Sequence, residues 1–308
     1  MTGDPRRILV VWNPAAGEKA GIATNRTSIE DVHRVMEANG LGDEVFESPS
    51  EAAAGERVDA AIRDGYDVVI AAGGDGTVRS VALRLLERET ALGILPLGSA
   101  MNLARSLGIP RELEPAAAIV AAGHVRTIDV GRVRDRTFVE QVTVGLSAEA
   151  FGEAQQIDRR RWSAAVRLLG LLLRRERTRI DLDVDGERSH THALALSIAN
   201  TPYTGMGIEL APDARLDDGL LDVVIYEGVS ALGLARYMAA TFGGRGRAPE
   251  RFRTLRARHV RVQAHRARAV RFDAEDAGET PVEISVRPGV LRVVAPIPDN
   301  PDNEERAG

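Results

Sequence analysis

A glycine-rich turn with a single acidic residue is the feature of the sequence best suited to chemistry. It is Gly73-Gly-Asp-Gly-Thr77, and it lies between the apolar run Asp67–Ala72 and a helical pattern. Glycines allow a phosphate to approach backbone amides closely, and the following helix adds the positive end of its dipole. Asp75 would repel a bare phosphate, so its carboxylate indicates a bound Mg2+ or a reacting hydroxyl group. The alternative is a tight strand-to-helix turn in which Asp75 caps the helix.

This loop matches neither of two common nucleotide fingerprints. A P-loop ends in Gly-Lys-Ser or Gly-Lys-Thr, whereas Lys19 is the only lysine of the chain, and the glycine spacing differs from that of a dinucleotide-binding loop. A second turn lies within Leu95–Pro110. There Gly98 gives backbone clearance and the Ser99 hydroxyl can donate to a phosphate, although Ser99 could instead cap the helix that follows. Any phosphate site formed by these two turns is therefore neither a P-loop nor a dinucleotide-binding loop.

The elements that position these turns follow an alternating pattern. Residues 1–126 alternate apolar runs with helical patterns, which is typical of parallel strands joined by crossover helices. The predicted strands are Ile8–Val11, Glu44–Phe46, Asp67–Ala72 and Gly93–Pro96. The predicted helices are Ser28–Asn39, Ser50–Asp64, one after the glycine loop, and Ala100–Leu107. We expect a three-layer α/β domain.

From residue 127 the pattern changes to short stretches of alternating polarity, which predict an antiparallel β-sandwich or barrel. Two predicted helices, Arg160–Arg177 and Ala231–Thr241, interrupt these stretches. We expect a β-rich domain over residues 127–298, a disordered polar tail over 299–308, and a ligand site in the cleft between the two domains. The predicted strands are Phe138–Val144, Arg179–Val184, His192–Ile198, Leu221–Tyr226, His259–Val262, Ala269–Phe272, Val282–Val286 and Val290–Val294.

Composition excludes several classes of function. The 308 residues carry 40 Lys+Arg and 45 Asp+Glu, a formal charge of −5, so bulk charge gives no case for a nucleic-acid partner. The absence of cysteine excludes disulfides, thiol nucleophiles and cysteine-bound metals, and is compatible with the cytosol. The six histidines show no metal-ligand spacing. Because no apolar run approaches the roughly 20 residues that span a bilayer, we expect a soluble or peripheral protein.

Motifs along the chain, in order, resemble those of the diacylglycerol kinase catalytic-domain family. This family includes bacterial lipid kinases and sphingosine kinases, and it shares its nucleotide-binding half with NAD kinases. The resemblance covers about residues 6 to 298, and several motifs in the family's order are far more specific than any one alone. They are Asn13-Pro-Ala-Ala-Gly17, Gly73–Thr77, Leu95–Pro110, Asp217-Asp-Gly-Leu-Leu-Asp222 and Phe272-Asp-Ala-Glu275.

The resemblance implies an enzyme that transfers the γ-phosphate of ATP to a lipid hydroxyl group. ATP and Mg2+ are the implied cofactors, and the acceptor is diacylglycerol-like, a ceramide or a sphingoid base. Asp75 is expected to position the catalytic cation, while Asn13 either contacts the nucleotide or only fixes its turn. The residues implied in nucleotide binding are Asn13, Gly73, Gly74, Asp75, Gly76, Thr77, Gly98 and Ser99.

The loop around Asp218 has two interpretations. Asp217-Asp218-Gly219 before a strand is by itself a hairpin turn. The resemblance implies a structural Mg2+ site, formed by the Asp218 carboxylate and the carbonyl groups of Arg215 and Leu220, which is the all-oxygen ligand set that this ion prefers. Loss of such a site is expected to loosen the domain arrangement rather than to remove a chemical step.

Phosphoryl transfer also needs a carboxylate that accepts the hydroxyl proton, and three acids compete for this role. Glu187 has the better literal Asp-Gly-Glu match, but it lies in a predicted hairpin. Glu279 follows Ala277-Gly278. Glu275 lies where the family's catalytic Asp-Gly-Glu stands, before the last predicted strands, with Ala274 in place of the glycine. We assign Glu275 as the general base.

The sequence departs from the family pattern at several positions. Ser99 stands where many relatives have Thr, Met101-Asn102 where many have Asn-Asp, and Arg79-Ser80 where Asn-Glu is usual. These changes affect phosphate and substrate contacts more than the reaction type. Two alternatives stay open. One is NAD kinase-like phosphorylation of a soluble acceptor, although we find no Thr-Gly-Ser-type acceptor motif, and the other is a non-catalytic nucleotide- or lipid-binding member of the fold.

A basic amphipathic segment bears on location. Arg159–Arg177 has apolar residues along one side and arginines at both ends, which suits a helix at an anionic membrane surface or, equally, a helix packed on the core. The arginine-rich stretch Arg245–Arg271 either extends that surface or forms strand exteriors. We expect a cytoplasmic protein with peripheral contact at the inner face of the membrane. The sequence leaves the oligomeric state open, a homodimer included.

Overall fold

The structure is a computed structural model that describes residues 6–14, 18–19, 22–23, 27–145, 178–204, 208–227, 252–273 and 275–297. The predicted helices Arg160–Arg177 and Ala231–Thr241, the residue Ala274 and the predicted tail lie outside the described residues. The chain divides into two compact units, residues 1–127 with 291–308 and residues 128–290. Residues 291–297, at the end of the last strand, belong to the first unit, whereas the sequence predicted them in the β-rich domain.

The first unit has the α/β fold that the sequence predicts. Strands β4, β1, β5 and β6 lie side by side in that order, and each neighbouring pair is parallel. The elements are β1 (Ile8–Trp12), β2 (Glu18–Lys19), β3 (Ile22–Ala23), α1 (Ile29–Ala38), β4 (Val45–Glu47), α2 (Glu51–Arg63), β5 (Val68–Gly73), α3 (Asp75–Arg84), β6 (Ala91–Pro96), α4 (Asn102–Ser106) and α5 (Leu113–Ala122).

The helix starts in this unit follow from capping residues in the sequence. Ser28 caps α1 and forms a capping box with Asp31, in which each side chain accepts the other residue's backbone N–H. Ser50 caps α2 by accepting the N–H of Ala53 at 3.2 Å. These bonds satisfy amide groups that the first helical turn leaves without partners. The predicted starts of both helices are confirmed.

Strands β1, β5 and β6 form a rigid base for the site. Every residue of the three strands is buried, so they read as continuous apolar runs, as expected for parallel strands covered by helices on both faces. Parallel neighbours end at the same edge of the sheet. The residues that follow them, Asn13 after β1, Gly74 after β5 and Gly98 after β6, are therefore brought to one edge, where open α/β sheets bind ligands.

The second unit is built from antiparallel strands, as predicted. Its central strands lie in the order β18–β17–β9–β11–β10–β16–β19, with β14 on β11 and β15 on β14. The inward residues Phe138, Ile198, Ile225 and Phe272 belong to one apolar core. The elements are β7 (Val125–Val133), β8 (Arg136–Phe138), β9 (Gln141–Val144), β10 (Thr178–Val184), β11 (Glu187–Ala199), β12 (Tyr203–Thr204), β13 (Ile208–Glu209), β14 (Leu221–Glu227), β15 (Arg253–Ala257), β16 (His259–Ala264), β17 (Ala269–Phe272), β18 (Glu275–Glu279) and β19 (Val282–Val294).

Two predicted strand boundaries were wrong. Phe138–Val144 is not one strand but two, because residues 139 and 140, between β8 and β9, donate their backbone N–H groups to the Asp273 carboxylate instead of to a neighbouring strand. Conversely, Val282–Val294 is one strand, although Pro288-Gly289 suggested a break. The N–H of Gly289, which lies at φ +63°, donates to Asp129 at 2.8 Å.

The described elements that were not predicted are α5, β7, β15 and β18 and the two-residue strands β2, β3, β12 and β13. Helix α5 is rich in alanine, so its apolar face gives little contrast in the sequence. Strand β18, Glu275–Glu279, is mostly exposed and acidic, which is atypical of strands. Within the described part of the chain, no helix is long and apolar enough to cross a membrane.

Candidate active site

The glycine-rich loop leads directly from β5 into α3. Helix α3 begins at Asp75 with Gly74 as its N-cap residue, and no side chain caps its first amide groups. The first N–H groups of a helix have no partner inside the helix, and the helix dipole adds positive charge at this end. Gly76, in the first turn, is exposed. The loop therefore presents the kind of backbone surface that binds an anion such as a phosphate.

Packing requires a glycine at Gly73 in the loop and at Gly98 in the second turn, but not at Gly76. A Cβ atom at Gly73 would lie 2.5 Å from the Thr77 side chain, and one at Gly98 would lie 2.7 Å from the Cα of Gly74. The glycine loop and the turn at Gly98 are therefore in direct backbone contact. A Cβ at Gly76 would have nothing within 4 Å. The absence of a side chain at Gly76 leaves open space above the first turn of α3.

Asn13 and Thr77 connect the first strand to the glycine loop. The Asn13 side-chain amide donates to the Thr77 hydroxyl at 3.0 Å, and the Asn13 backbone N–H donates to the carbonyl of Ala72 at 3.0 Å. Both contacts hold the turn after β1 against the end of β5. The structure thus shows Asn13 fixing its turn, one of the two roles expected from sequence. A direct contact of Asn13 with nucleotide stays a prediction.

Asp75 connects the glycine loop to the second turn. Its two carboxylate oxygens accept the backbone N–H groups of Met101 at 3.0 Å and Asn102 at 2.9 Å. Helix α4 begins at Asn102, and its N-cap residue, Met101, has a left-handed backbone (φ +52°) and no side-chain cap. Asp75 therefore caps α4 from a different loop. A carboxylate carries about four lone-pair sites, so these two bonds leave it able to contact a cation.

The second turn presents Gly98 and Ser99 beside the glycine loop. The N-cap of α4 is Met101, so the alternative in which Ser99 caps this helix is excluded. Ser99 is half-buried. The carbonyl oxygen of Gly98 accepts a hydrogen bond from the Arg111 guanidinium at 3.1 Å, which holds the turn from its other side. Phosphate contact by Ser99 stays a prediction.

In the second unit, Glu275 begins the edge strand β18, where it is paired with Phe272 of β17. The Arg136 guanidinium contacts the Glu275 carboxylate at 2.6 Å. Just before Glu275, Asp273 has a left-handed backbone (φ +43°) and accepts three backbone N–H groups, from residues 139, 140 and 141, at 2.6 to 3.1 Å. Asp273, two positions before Glu275, is therefore tightly fixed.

The two rival acids lie in different surroundings. Glu187 begins β11 directly after the hairpin turn Asp185-Gly186, which has left-handed φ values of +50° and +90°. The hairpin that the sequence predicts at this Asp-Gly is confirmed. Glu279 ends β18 and is exposed. Glu275 and Glu279 thus lie at opposite ends of one five-residue strand, and only Glu275 follows the Asp273 turn.

The loop of Arg215, Asp218 and Leu220 precedes β14. The Asp218 carboxylate accepts the Leu220 N–H at 3.0 Å through one oxygen and forms an ion pair with Arg256 through the other. Asp129, which is buried, accepts the N–H groups of Gly219 at 2.7 Å and Gly289 at 2.8 Å. The Asp129 carboxylate therefore links this loop to Gly289 of β19.

Two buried acids near this loop carry perturbed pKa values. Burial raises the pKa of Asp129, although its two backbone hydrogen bonds oppose the shift. Burial also raises the pKa of Asp222 to about 6, against the effect of Arg256, whose Nε lies 3.9 Å from the carboxylate. Asp218 adds to the rise at both sites because like charges disfavour ionisation.

The surroundings of Asp218 are compatible with a divalent cation. The Asp218 carboxylate is an oxygen ligand of the kind that Mg2+ prefers, and a cation there would offset the repulsion that adds to the burial-driven rise of the pKa values of Asp129 and Asp222. Within the described residues, no group of three or more acidic or histidine side chains is arranged to hold a metal ion. The expected ligand set contains a single carboxylate, with the carbonyls of Arg215 and Leu220, and it stays a prediction.

Asp129 and Arg136 were missed in the sequence, and Asp222 was included only as the last residue of a motif. Asp129 and Asp222 each interrupt an apolar strand, in Ile128-Asp-Val130 and Leu221-Asp-Val223, and an acid inside a buried strand is a signal of a structural or functional role. Arg136 gives no such signal, because arginines are common throughout this chain and its partner is 139 positions away.

Comparison with known proteins agrees with this geometry. Residues 7–133 match the model of the diacylglycerol kinase catalytic domain. Residues 140–295 match the model of the YegS C-terminal NAD kinase beta sandwich-like domain. The two matches correspond to the α/β part and the antiparallel part of the chain.

Individual relatives give the same result. A protein named "Probable lipid kinase YegS-like" from Pseudomonas aeruginosa is 34% identical over 245 residues, 78% of this chain and 80% of the relative. A "Diacylglycerol kinase" from Mycobacterium tuberculosis is 30% identical over 246 residues, 77% of this chain and 79% of the relative. A crystal structure of a diacylglycerol kinase from Bacillus anthracis has the same fold, with a TM-score of 0.69 at 20% identity, covering 96% of this chain and 98% of that one.

The chain therefore belongs to the diacylglycerol kinase family, with a diacylglycerol kinase catalytic domain followed by a YegS-type β-sandwich domain. This is a family of lipid kinases, that is, phosphotransferases with an alcohol group as acceptor. Both the resemblance and the fold class expected from the sequence are confirmed.

Proposed function

We propose that this protein transfers the γ-phosphate of ATP to a hydroxyl group of a diacylglycerol-like, ceramide or sphingoid lipid, with Mg2+ as the metal cofactor. The observation that carries the proposal is the contact of Asp75 with residues 101 and 102, which joins the two turns that precede α3 and α4 in a diacylglycerol kinase domain. Kinases of this kind stabilise the transferred phosphoryl group by position and charge rather than by covalent chemistry.

The nucleotide is assigned to the edge where β1, β5 and β6 end. The amide groups at the start of α3 are suited to the phosphates, and the open space above Gly76 gives them room. Gly98 is needed because a Cβ there would clash with the backbone of Gly74, and Gly73 because a Cβ there would clash with the Thr77 side chain. Gly74 is assigned as the N-cap residue whose backbone borders the phosphates. Thr77 and Ser99 are assigned as hydroxyl contacts, and Asn13 as the residue that orients Thr77.

Asp75 is assigned to the cation that accompanies ATP. When bound, Mg2+ neutralises charge on the phosphate oxygens and so assists their transfer. The carboxylate of Asp75 is oriented by two backbone amides, which is how a metal-ligating carboxylate is commonly fixed. The second Mg2+, at Asp218 and the carbonyls of Arg215 and Leu220, is assigned a structural role.

Glu275 is assigned as the general base. A carboxylate that takes the proton of an attacking hydroxyl must be held in a defined direction. The contact with Arg136 and the fixed turn at Asp273 support this assignment over the exposed Glu279 and over Glu187 in its hairpin. The acceptor class is supported by the names of the relatives, which are lipid and diacylglycerol kinases.

A transfer assay tests the proposal. Wild type, Glu275→Gln and Asp75→Asn are incubated with labelled ATP, Mg2+ and mixed micelles of diacylglycerol, ceramide or sphingosine, and the phosphorylated lipid is identified. We expect transfer by the wild type and a loss of about a hundredfold or more in Glu275→Gln. Glu279→Gln and Glu187→Gln are matched controls that keep wild-type turnover.

Three results would contradict the proposal. Equal activity of Glu275→Gln and the wild type would remove the base assignment. Transfer to NAD but to no lipid would support a soluble acceptor. Binding of ATP without transfer to any acceptor would support a non-catalytic member of the fold.

A lipid acceptor also requires access to a membrane. We propose peripheral contact with anionic lipids through the arginine-rich segment Arg159–Arg177, which lies outside the described residues. Each basic residue near such a surface contributes about 1 kcal/mol to binding, and the contribution falls with salt. Sedimentation with phosphatidylserine vesicles at low and high salt measures it. Binding that is the same on neutral vesicles would exclude this contact.

A further inference from the structure

Arg136, which no motif of the sequence includes, is bound on three sides at the start of β18. One guanidinium nitrogen contacts the Glu275 carboxylate at 2.6 Å, and another donates to the backbone carbonyl of Asp276 at 2.7 Å. The guanidinium carbon also lies 4.7 Å from the centre of the Phe272 ring, within range of a cation–π interaction. One side chain therefore binds the carboxyl group, the backbone and the ring beside Glu275.

These contacts give the Glu275 carboxylate a direction that an ordinary surface ion pair would not. The two side chains are 45% and 38% exposed, and such pairs usually contribute little to stability because two long side chains must be ordered. Here the ordering of Arg136 does not depend on Glu275 alone, since Phe272 is buried in the core and the Asp276 carbonyl belongs to the strand. The planar guanidinium therefore holds the nitrogen that contacts the Glu275 carboxylate in a fixed direction.

Arg134 shows what a purely structural arginine does at the same strand. Its guanidinium donates to the carbonyls of Ala277 at 3.1 Å, Glu279 at 2.6 Å and Pro281 at 3.2 Å. Arg134 and Arg136 together cover carbonyl groups of β18, which is an edge strand. Covering an edge in this way protects it from pairing with another chain. Arg136 differs from Arg134 in that its guanidinium also contacts the Glu275 carboxylate.

We propose that Arg136 is a positioning residue, which holds the Glu275 carboxylate in the orientation from which it accepts the proton of the lipid hydroxyl. The inference rests on the proposed function, because it needs Glu275 to be the general base. One carboxylate oxygen contacts Arg136, and the other is the atom that receives the proton. Arg136 itself exchanges no proton and touches no reacting atom in this scheme.

The test compares Arg136→Met, Arg136→Lys and the matched control Arg134→Met with the wild type in the lipid kinase assay. We expect Arg136→Met to lower kcat about ten- to a hundredfold, as displacement of a reacting group by about 1 Å does, and to leave KM for ATP and for the lipid unchanged. Arg136→Lys recovers part of kcat, because it restores the charge but not the fork. Arg134→Met lowers the melting temperature and keeps kcat.

A double variant separates positioning from general stabilisation. In the Glu275→Gln background, Arg136→Met causes no further loss of kcat, because the group that it positions is already gone. The proposal is overturned if Arg136→Met keeps wild-type kcat, if Arg134→Met lowers kcat as much, or if the double variant is slower than Glu275→Gln.

A second measurement does not depend on kinase activity. In protein with 13C-labelled glutamate carboxyl groups, the Glu275 resonance, assigned with Glu275→Gln, is a single sharp line in the wild type and Arg134→Met, and shifted or broadened in Arg136→Met. An unchanged resonance in Arg136→Met removes the positioning role. If instead the resonance changes but the wild type phosphorylates no lipid, the proposed function has failed while the contact stands.

Discussion

The Asp75 carboxylate accepts the backbone N–H of Asn102 at 2.9 Å, across 27 positions of sequence. With the parallel bond to Met101, it joins the glycine-rich loop at the start of α3 to the start of α4. Two turns that a phosphate would contact are thereby held in one arrangement before any ligand binds. An acid in a phosphate loop, which is unfavourable by charge alone, has a structural reason to be there.

Asp75 variants are expected to separate the structural role from the electrostatic one. Asp75→Ala leaves the backbone amides of two buried residues, Met101 and Asn102, without acceptors, so the free energy of unfolding falls by about 1 to 2 kcal/mol. Asp75→Asn keeps one acceptor oxygen and loses less stability, but it loses the charge, and turnover falls about a hundredfold. Urea denaturation and the lipid kinase assay measure the two effects. Full activity in Asp75→Asn would exclude a role in holding the cation.

Alanine at two glycines is expected to have opposite effects. A Cβ at Gly98 lies 2.7 Å from Gly74 Cα, so Gly98→Ala forces the turns apart and costs about 1 to 3 kcal/mol of stability. A Cβ at Gly76 meets nothing within 4 Å, and alanine suits a helix better than glycine. Gly76→Ala therefore keeps or raises the melting temperature.

Gly76→Ala also tests where ATP lies. In the proposed site the space above Gly76 belongs to phosphate, so Gly76→Ala weakens ATP binding at least tenfold in isothermal titration calorimetry, about 1.4 kcal/mol or more. Unchanged affinity together with an unchanged melting temperature would mean that the phosphates lie elsewhere.

The sequence allowed the first unit and the starts of its first two helices to be predicted, because the information is local. Ser28 and Ser50 precede helices that begin one residue later, and the buried strands β1 and β5 are continuous apolar runs. The glycine loop was recognised by composition alone. The bond from Asp75 to Asn102 could not be predicted, because it depends on two turns meeting in space.

The second unit was predicted less well for a related reason. The break between β8 and β9 is caused by the Asp273 carboxylate, more than 130 positions away in sequence. Phe138–Val144 reads as one continuous strand as long as that contact is unknown. Likewise, Pro288-Gly289 predicts an interruption, whereas the Gly289 N–H finds a partner in the distant Asp129 and the strand continues. Long-range acceptors decide both boundaries.

Asn13 and Thr77 allow the two roles of Asn13 to be separated. A double-mutant cycle of Asn13→Ala and Thr77→Val is expected to give a coupling free energy of about 0.5 to 1.5 kcal/mol in unfolding experiments, the usual contribution of one hydrogen bond. If Asn13 only orients Thr77, Asn13→Ala does not weaken ATP binding further in the Thr77→Val background. A further loss of affinity there would show that Asn13 contacts the nucleotide, and a coupling near zero would mean that the bond does not contribute.

Asp222 predicts how stability depends on pH. Its side chain is 3% exposed, and burial raises its pKa in the folded protein to about 6, above the value near 3.9 of an unfolded chain. The folded state therefore binds the proton more tightly than the unfolded state. Its contribution to stability is complete below about pH 4 and is lost as the pH rises to about 6, by at most about 3 kcal/mol. Asp222→Asn, which cannot ionise, lacks this loss.

Urea denaturation at pH 5.0 and pH 7.5 measures the effect, with EDTA present because a bound cation would favour the ionised carboxylate. We expect the free energy of unfolding of Asp222→Asn, relative to the wild type, to be higher at pH 7.5 than at pH 5.0. Asp135→Asn, on an exposed turn between β7 and β8, is the matched control and follows the wild type at both values. Parallel behaviour of Asp222→Asn and the wild type would show that Asp222 is not the buried acid that loses its proton in this range.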